Sequence, residues 1–123
     1  MPATPIENFR VDPGDEIRAN IIFSSYSATL QLSNAQTNQM VAFSVSTQAP
    51  LCLHDVEWAV LPNGTLPLTK FDNVTFTDVG AGDTKSNNYN LGSAIFGSIK
   101  PEDGSELTSF DDPNDTAVTI HTI

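Results

Sequence analysis

Apolar and polar positions alternate with a period of two through much of this chain, and no segment of ten residues or more carries a helical period. Over 15–24, Ile17, Ala19, Ile21 and Phe23 share one face. Leu30 and Leu32 do the same over 27–33, and Val41, Phe43 and Val45 over 39–47. The polar run from Asn34 to Asn38 is a turn signal between the last two. These segments predict an antiparallel meander with one buried face. Upstream, 6–11 reads as a short first strand closed by the turn dipeptide Pro13-Gly14. Beyond Pro50 the pattern predicts strands over 54–60, 66–70, 73–79, 94–99, 105–109 and 116–122. Pro67 would place 66–70 at a sheet edge. Residues 80–90 are rich in Gly, Asp, Ser and Asn and read as the least ordered stretch. Many short strands with frequent turns imply an all-β sandwich.

The 54–60 strand carries the candidate chemistry. Alternation sends Val56, Trp58 and Val60 to one face, and Asp55, Glu57 and Ala59 to the other. Trp58, the one tryptophan, would anchor a core while Glu57 stands on the opposite face of a rigid strand. A carboxylate held in that way suits general acid–base work. Asp55 and Glu57 also form an i, i+2 pair with Cα atoms ~6.5–7 Å apart. That spacing falls within the range two-carboxylate glycosidases use, so a glycoside-active jelly roll is a competing class. The scarcity of aromatic platforms counts against it: besides phenylalanines the chain has only Trp58, Tyr26 and Tyr89. A metal site on His54, Asp55 and Glu57 is disfavoured, because alternation turns His54 away from both carboxylates and no zinc-type Cys/His spacing exists. No Gly-x-Ser-x-Gly elbow and no phosphate-binding glycine loop is present. No cofactor is expected.

The residues that surround Glu57 resemble a known family. Leu51-Cys52-x-x-x-x-Glu57-Trp58 is similar to the segment around the catalytic glutamate of the glutamic peptidases, the eqolisin family of fungal acid endopeptidases. Pro13-Gly14-Asp15-Glu16-Ile17 resembles the family's Gly-Asp turn before a long strand, and Phe71-Asp72-Asn73-Val74-Thr75-Phe76-Thr77 resembles its Phe-x-x-Val-x-Phe-Thr strand. The resemblance runs from about Phe9 to Ile123. It implies a concanavalin A-like jelly roll of two antiparallel sheets, with the active site on the concave face. It also implies that Glu57 is the catalytic residue, a general base on a water that attacks a peptide carbonyl, with a glutamine amide stabilising the oxyanion.

The chain departs from that pattern in three places. The family's glutamine lies upstream of the matched segment, whereas Gln31, Gln36, Gln39 and Gln48 all fall between the Gly-Asp turn and Glu57. Asp55 adds a carboxylate where the family commonly has an uncharged residue, and Leu61-Pro62 stands where it often carries acidic ones. The expectation is therefore a C-terminal portion of a glutamic peptidase, one β-sandwich domain over 1–123, incomplete at its N-terminal side and weak or inactive alone. A non-catalytic β-sandwich binding module is the other alternative. Missing strands would leave open sheet edges and a tendency to self-associate.

Composition bounds the partners. Fifteen acidic against five basic residues give a formal charge of −10, and the pI is near 4.1. Such a surface repels nucleic acid and suits work in acid. A polypeptide is the substrate class the resemblance implies. No apolar run is long enough to span a membrane as a helix, and Met1-Pro2-Ala3-Thr4-Pro5 does not read as a signal peptide. The extracellular location thus rests on the family resemblance. Asn63, Asn73 and Asn114 begin Asn-x-Ser/Thr sequons and are candidate glycosylation sites on an exported chain. Cys52 has no partner within the chain.

Overall fold

The computed structural model describes residues 5–62, 66–111 and 114–123. The chain divides into two compact units, Met1–Asp55 and Val56–Ile123.

The first unit is the meander the alternation predicts. Strands β1 (Ile17–Ser24), β2 (Ser27–Asn34) and β3 (Gln39–Ser46) form one antiparallel sheet in the order β1-β2-β3. A turn at Asp12-Pro13-Gly14-Asp15 leads into β1. Gly14 takes φ 90, which its missing Cβ permits, and the Asp15 N–H donates to the Asp12 carbonyl at 3.1 Å. Behind it lies Asn34, 1% exposed. Its amide nitrogen donates to the Arg10 carbonyl (2.9 Å) and to the Asp15 carboxylate (2.7 Å). Its amide oxygen accepts from the N–H groups of Gln36 (2.9 Å) and Thr37 (3.3 Å). One side chain thereby joins the N-terminal segment, the Gly-Asp turn and the β2–β3 turn.

The register puts Ala19, Ile21, Phe23, Ala28, Leu30, Leu32, Val41, Phe43 and Val45 on one face. That face is not buried, contrary to expectation: Ile21 and Phe23 are 51% and 52% exposed. The predicted strand over 6–11 is replaced by a turn. Asn8 sits in the left-handed region at φ 60, and the Gln39 side chain bonds the Arg10 N–H and the Asn8 carbonyl where a ladder would have run.

The second unit holds β4 (Val74–Phe76), β5 (Ala81–Gly82), β6 (Asn88–Tyr89), a 3₁₀ turn (Leu91–Ser93), β7 (Thr108–Asp111) and β8 (Val118–Thr122). The order β4-β8-β7 makes an antiparallel sheet, and β5 and β6 form a hairpin. The hairpin lies in the stretch expected to be least ordered. Asp83 organises it: its carboxylate accepts from the N–H groups of Lys85 (2.8 Å) and Asn87 (3.0 Å), the Asn87 amide (2.8 Å) and the Tyr89 hydroxyl (3.2 Å).

Among the described residues the buried apolar core is Val79, Leu91 and Val118, with Trp58, Phe76 and Phe96 packed against it. Phe96 stacks on Phe110 with ring centroids 5.0 Å apart. The strand expected over 73–79 stops at Phe76, because Asp78 takes φ 52 and the Val79 N–H turns to the Thr116 carbonyl. No strand forms over 66–70 or 94–99; Ile99 instead donates its N–H to the Thr108 hydroxyl at 3.0 Å. The strand expected over 105–109 lies at Thr108–Asp111.

Candidate functional site

Glu57 does not sit in a strand. Residues 51–62 form no ladder, so the predicted 54–60 strand is corrected to an unpaired segment. Two contacts hold it: the Leu51 N–H donates to the Ser25 carbonyl at 2.8 Å, and Trp58 is half-buried and packs on the core of the second unit. The alternation survives from Glu57 onward, with Trp58 and Val60 half-buried and Glu57 and Ala59 exposed. It fails at Val56, which is 51% exposed. Leu53 takes φ 53, a sharp bend that a regular strand would not tolerate.

The Glu57 carboxylate is exposed and makes no hydrogen bond or ion pair with the described residues. Asp55 is also exposed and belongs to the first unit, whereas Glu57 belongs to the second. Residues 56–123 contain no glutamine. Gln36 and Gln39 are committed in the first unit, accepting from the Glu16 and Arg10 N–H groups. Gln31 accepts from Asn20 at 3.5 Å. Among the described residues no group of three His, Cys, Asp or Glu side chains is placed to hold a metal ion.

A cleft that sequence reasoning missed opens on the second unit. It has a volume of about 470 Å³ and is lined by Lys70, Phe71, Asp72, Asn73, Asp111, His121 and Thr122. His121 Nδ1 lies 3.3 Å from an Asp111 carboxylate oxygen. The Thr122 hydroxyl donates to the Phe71 carbonyl at 2.6 Å, pinning the segment before β4 to β8. Only the pairing of Ser109 with His121 brings Asp111 beside the imidazole, and cross-strand register is not written in local alternation.

Of the sequons, Asn63 lies outside the described residues. Asn73 is exposed at the cleft rim. Asn114 is exposed, and its side-chain oxygen accepts from the Thr116 and Ala117 N–H groups, both at 2.9 Å.

The perturbed carboxylates are elsewhere. The Asp12 N–H and then the Asn34 amide hold Asp15 below the ordinary 3.8. The Asn87 side chain, then its N–H, does the same for Asp83, and the Ser105 hydroxyl for Asp103. Asp83 in turn raises the Tyr89 hydroxyl. A depressed folded-state pKa adds stability that is complete well above the unfolded value and is lost as pH falls through the folded one. Asp15 and Asp83 therefore make the chain less stable as pH drops below about 4. The thermal midpoint should fall from pH 5 to pH 2, and Asp15→Asn should flatten that fall; an unchanged slope would show that Asp15 contributes nothing to it.

The Peptidase A4 family model matches residues 1–122. The chain belongs to the Peptidase A4 family, the glutamic peptidases. Among solved structures it is similar to the aspergilloglutamic peptidase of Aspergillus niger, at 24% identity and a TM-score of 0.83 over 96% of this chain and 72% of that one. The fold is all-β, the antiparallel β-sandwich of that enzyme. No curated protein sequence matches the chain. Among the described residues no helix is long and apolar enough to cross a membrane.

Proposed function

We propose that the chain is one β-sandwich domain of a glutamic-type endopeptidase, directed at polypeptides, that presents Glu57 as its candidate general base and does not cleave peptides by itself. In the complete reaction Glu57 would take a proton from water as the water oxygen attacks the peptide carbonyl. An amide donor would stabilise the oxyanion. The protonated glutamate would then return its proton to the leaving amine.

The observation that carries this reading is the isolation of Glu57. The carboxylate is exposed beside the half-buried Trp58, with no amide or hydroxyl partner among the described residues. Absence of one oxyanion donor typically costs ~10²–10³ in turnover. A carboxylate with no polar partner to orient it also gives little near-attack alignment of water and peptide. The second reading, a non-catalytic polypeptide-binding module, draws support from Leu61-Pro62, which follows Glu57 where the family often has acidic residues. An extracellular location and glycosylation at Asn63, Asn73 or Asn114 belong to the proposal through the family alone.

The test is cleavage of a denatured protein at pH 2–4 by the chain and by Glu57→Gln. Equal, negligible rates are expected. Robust cleavage that Glu57→Gln abolishes would overturn the inertness and keep Glu57 as base. Robust cleavage that survives the substitution would remove Glu57 from the mechanism. A glutamine-bearing β segment added in trans separates the two readings: restored cleavage supports the peptidase, and binding without cleavage supports the module.

A further inference from the structure

The hairpin of β5 and β6 is held differently at its two ends. At the base, Val79 and Leu91 are buried with Val118. Their N–H groups donate to the Thr116 and Asp115 carbonyls at 2.9 and 2.8 Å. The tip, residues 83–87, reads Asp-Thr-Lys-Ser-Asn and brings no apolar side chain to a core. The ladder beneath it is two residues long, Ala81 opposite Tyr89 and Gly82 opposite Asn88. Hairpins that short are marginal without packing. The order of the tip therefore rests on polar contacts.

Those contacts converge on one residue. The Asp83 N–H donates to the Asn87 carbonyl at 3.1 Å, and the Asp83 carbonyl accepts from the Ser86 N–H at 3.3 Å. Four more donors end on the Asp83 carboxylate: the Lys85 and Asn87 N–H groups, the Asn87 amide and the Tyr89 hydroxyl. Among the described residues the tip makes no other hydrogen bond outside the ladder. These bonds hold Ser86 at φ 65, a left-handed conformation that residues with a Cβ adopt rarely.

We propose that Asp83 is an acid-released latch: its ionised carboxylate keeps the hairpin tip ordered, and its protonation frees the tip while the base stays docked. All four groups on the carboxylate are placed as donors. A carboxylic acid brings a proton of its own, and as placed only the Tyr89 oxygen could take it. The Asn87 side chain and then its N–H favour the charged form, so the ordered tip takes up a proton less readily than a free one. Linkage fixes the direction. Order is complete above the ordinary carboxylate value and is lost as pH falls below about 4, through the lower value of the ordered tip. Nearby groups do not counter this. Lysine and tyrosine side chains, here Lys85 and Tyr89, do not change charge in acid. Asp78 and Asp115 lie at the base, next to Val79 and beside Gly92, and no tip group bonds to either carboxylate. The latch does not depend on the role proposed for Glu57.

Nitrogen-15 relaxation of the whole chain tests it. Backbone order parameters of 84–88 should be near ~0.85 at pH 6 and below ~0.6 at pH 2, with Val118–Thr122 rigid at both. Asp83→Ala should show the mobile tip already at pH 6. Asp83→Asn keeps an oxygen acceptor but has no charge to lose, so the state its tip adopts at pH 6 should persist to pH 2. A wild-type tip that stays rigid at pH 2 would overturn the proposal. So would a rigid tip in Asp83→Ala, a transition retained in Asp83→Asn, or loss of order in Val118–Thr122 at the same pH as the tip.

Discussion

Asn34→Ala should destabilise the first unit by about 3 kcal/mol, lowering its thermal midpoint by roughly 10–15 °C. Four bonds end on this side chain, and it is the most deeply buried polar group among the described residues. Its removal leaves the Arg10 carbonyl, an Asp15 oxygen and the N–H groups of Gln36 and Thr37 without their partner. Each such loss typically costs ~0.5–1.5 kcal/mol, and more where water cannot replace the missing atom. Surface polar pairs on the same sheet make the contrast. Thr29→Ala removes only the exposed 2.7 Å contact with Ser44 and should cost well under 1 kcal/mol. Hydrogen exchange of the 17–34 amides is the direct measurement. Loss of protection in Asn34→Ala no larger than in Thr29→Ala would refute the node.

The same residue shows where sequence reading works and where it stops. Period-two alternation located β1, β2 and β3 to within a residue or two, because each strand lies next to its partner in sequence and each turn is short. Asn34 itself read as the first residue of a polar turn. Its role depends on Arg10 and Asp15, and no local pattern announces that three segments converge on one amide. The 54–60 segment failed for a related reason. Its alternation is genuine, and Trp58 and Val60 do face inward, but a strand also needs a neighbour to accept its ladder. Alternation reports the face a residue prefers, not whether a partner strand exists. Strands β7 and β8 lay near their expected positions, yet the cleft at Asp111 and His121 follows from their register alone. The family was legible from three ordered motifs, since turns and aromatic anchors are local chemistry.

The second large effect should come from Trp58→Ala. The core of the second unit is small, so a half-buried indole is a large share of it. Full truncation of a buried aromatic typically costs ~3–5 kcal/mol, and the partial exposure of Trp58 scales this to about 2–3 kcal/mol. The local consequence should exceed the global one. Residues 51–62 have no ladder bonds, so Trp58 is their principal attachment to Val79, Leu91 and Val118. Without it, 56–60 should open with little free-energy cost and carry Glu57 away from any fixed position. Limited proteolysis at neutral pH should then cut first within 51–62, while β8 keeps its hydrogen-exchange protection. Trp58→Phe, which retains an aromatic body against the same core, should restore most of the resistance. If Trp58→Ala left cleavage within 51–62 as slow as in the wild type, some other contact would be holding Glu57, and the indole could no longer be its anchor.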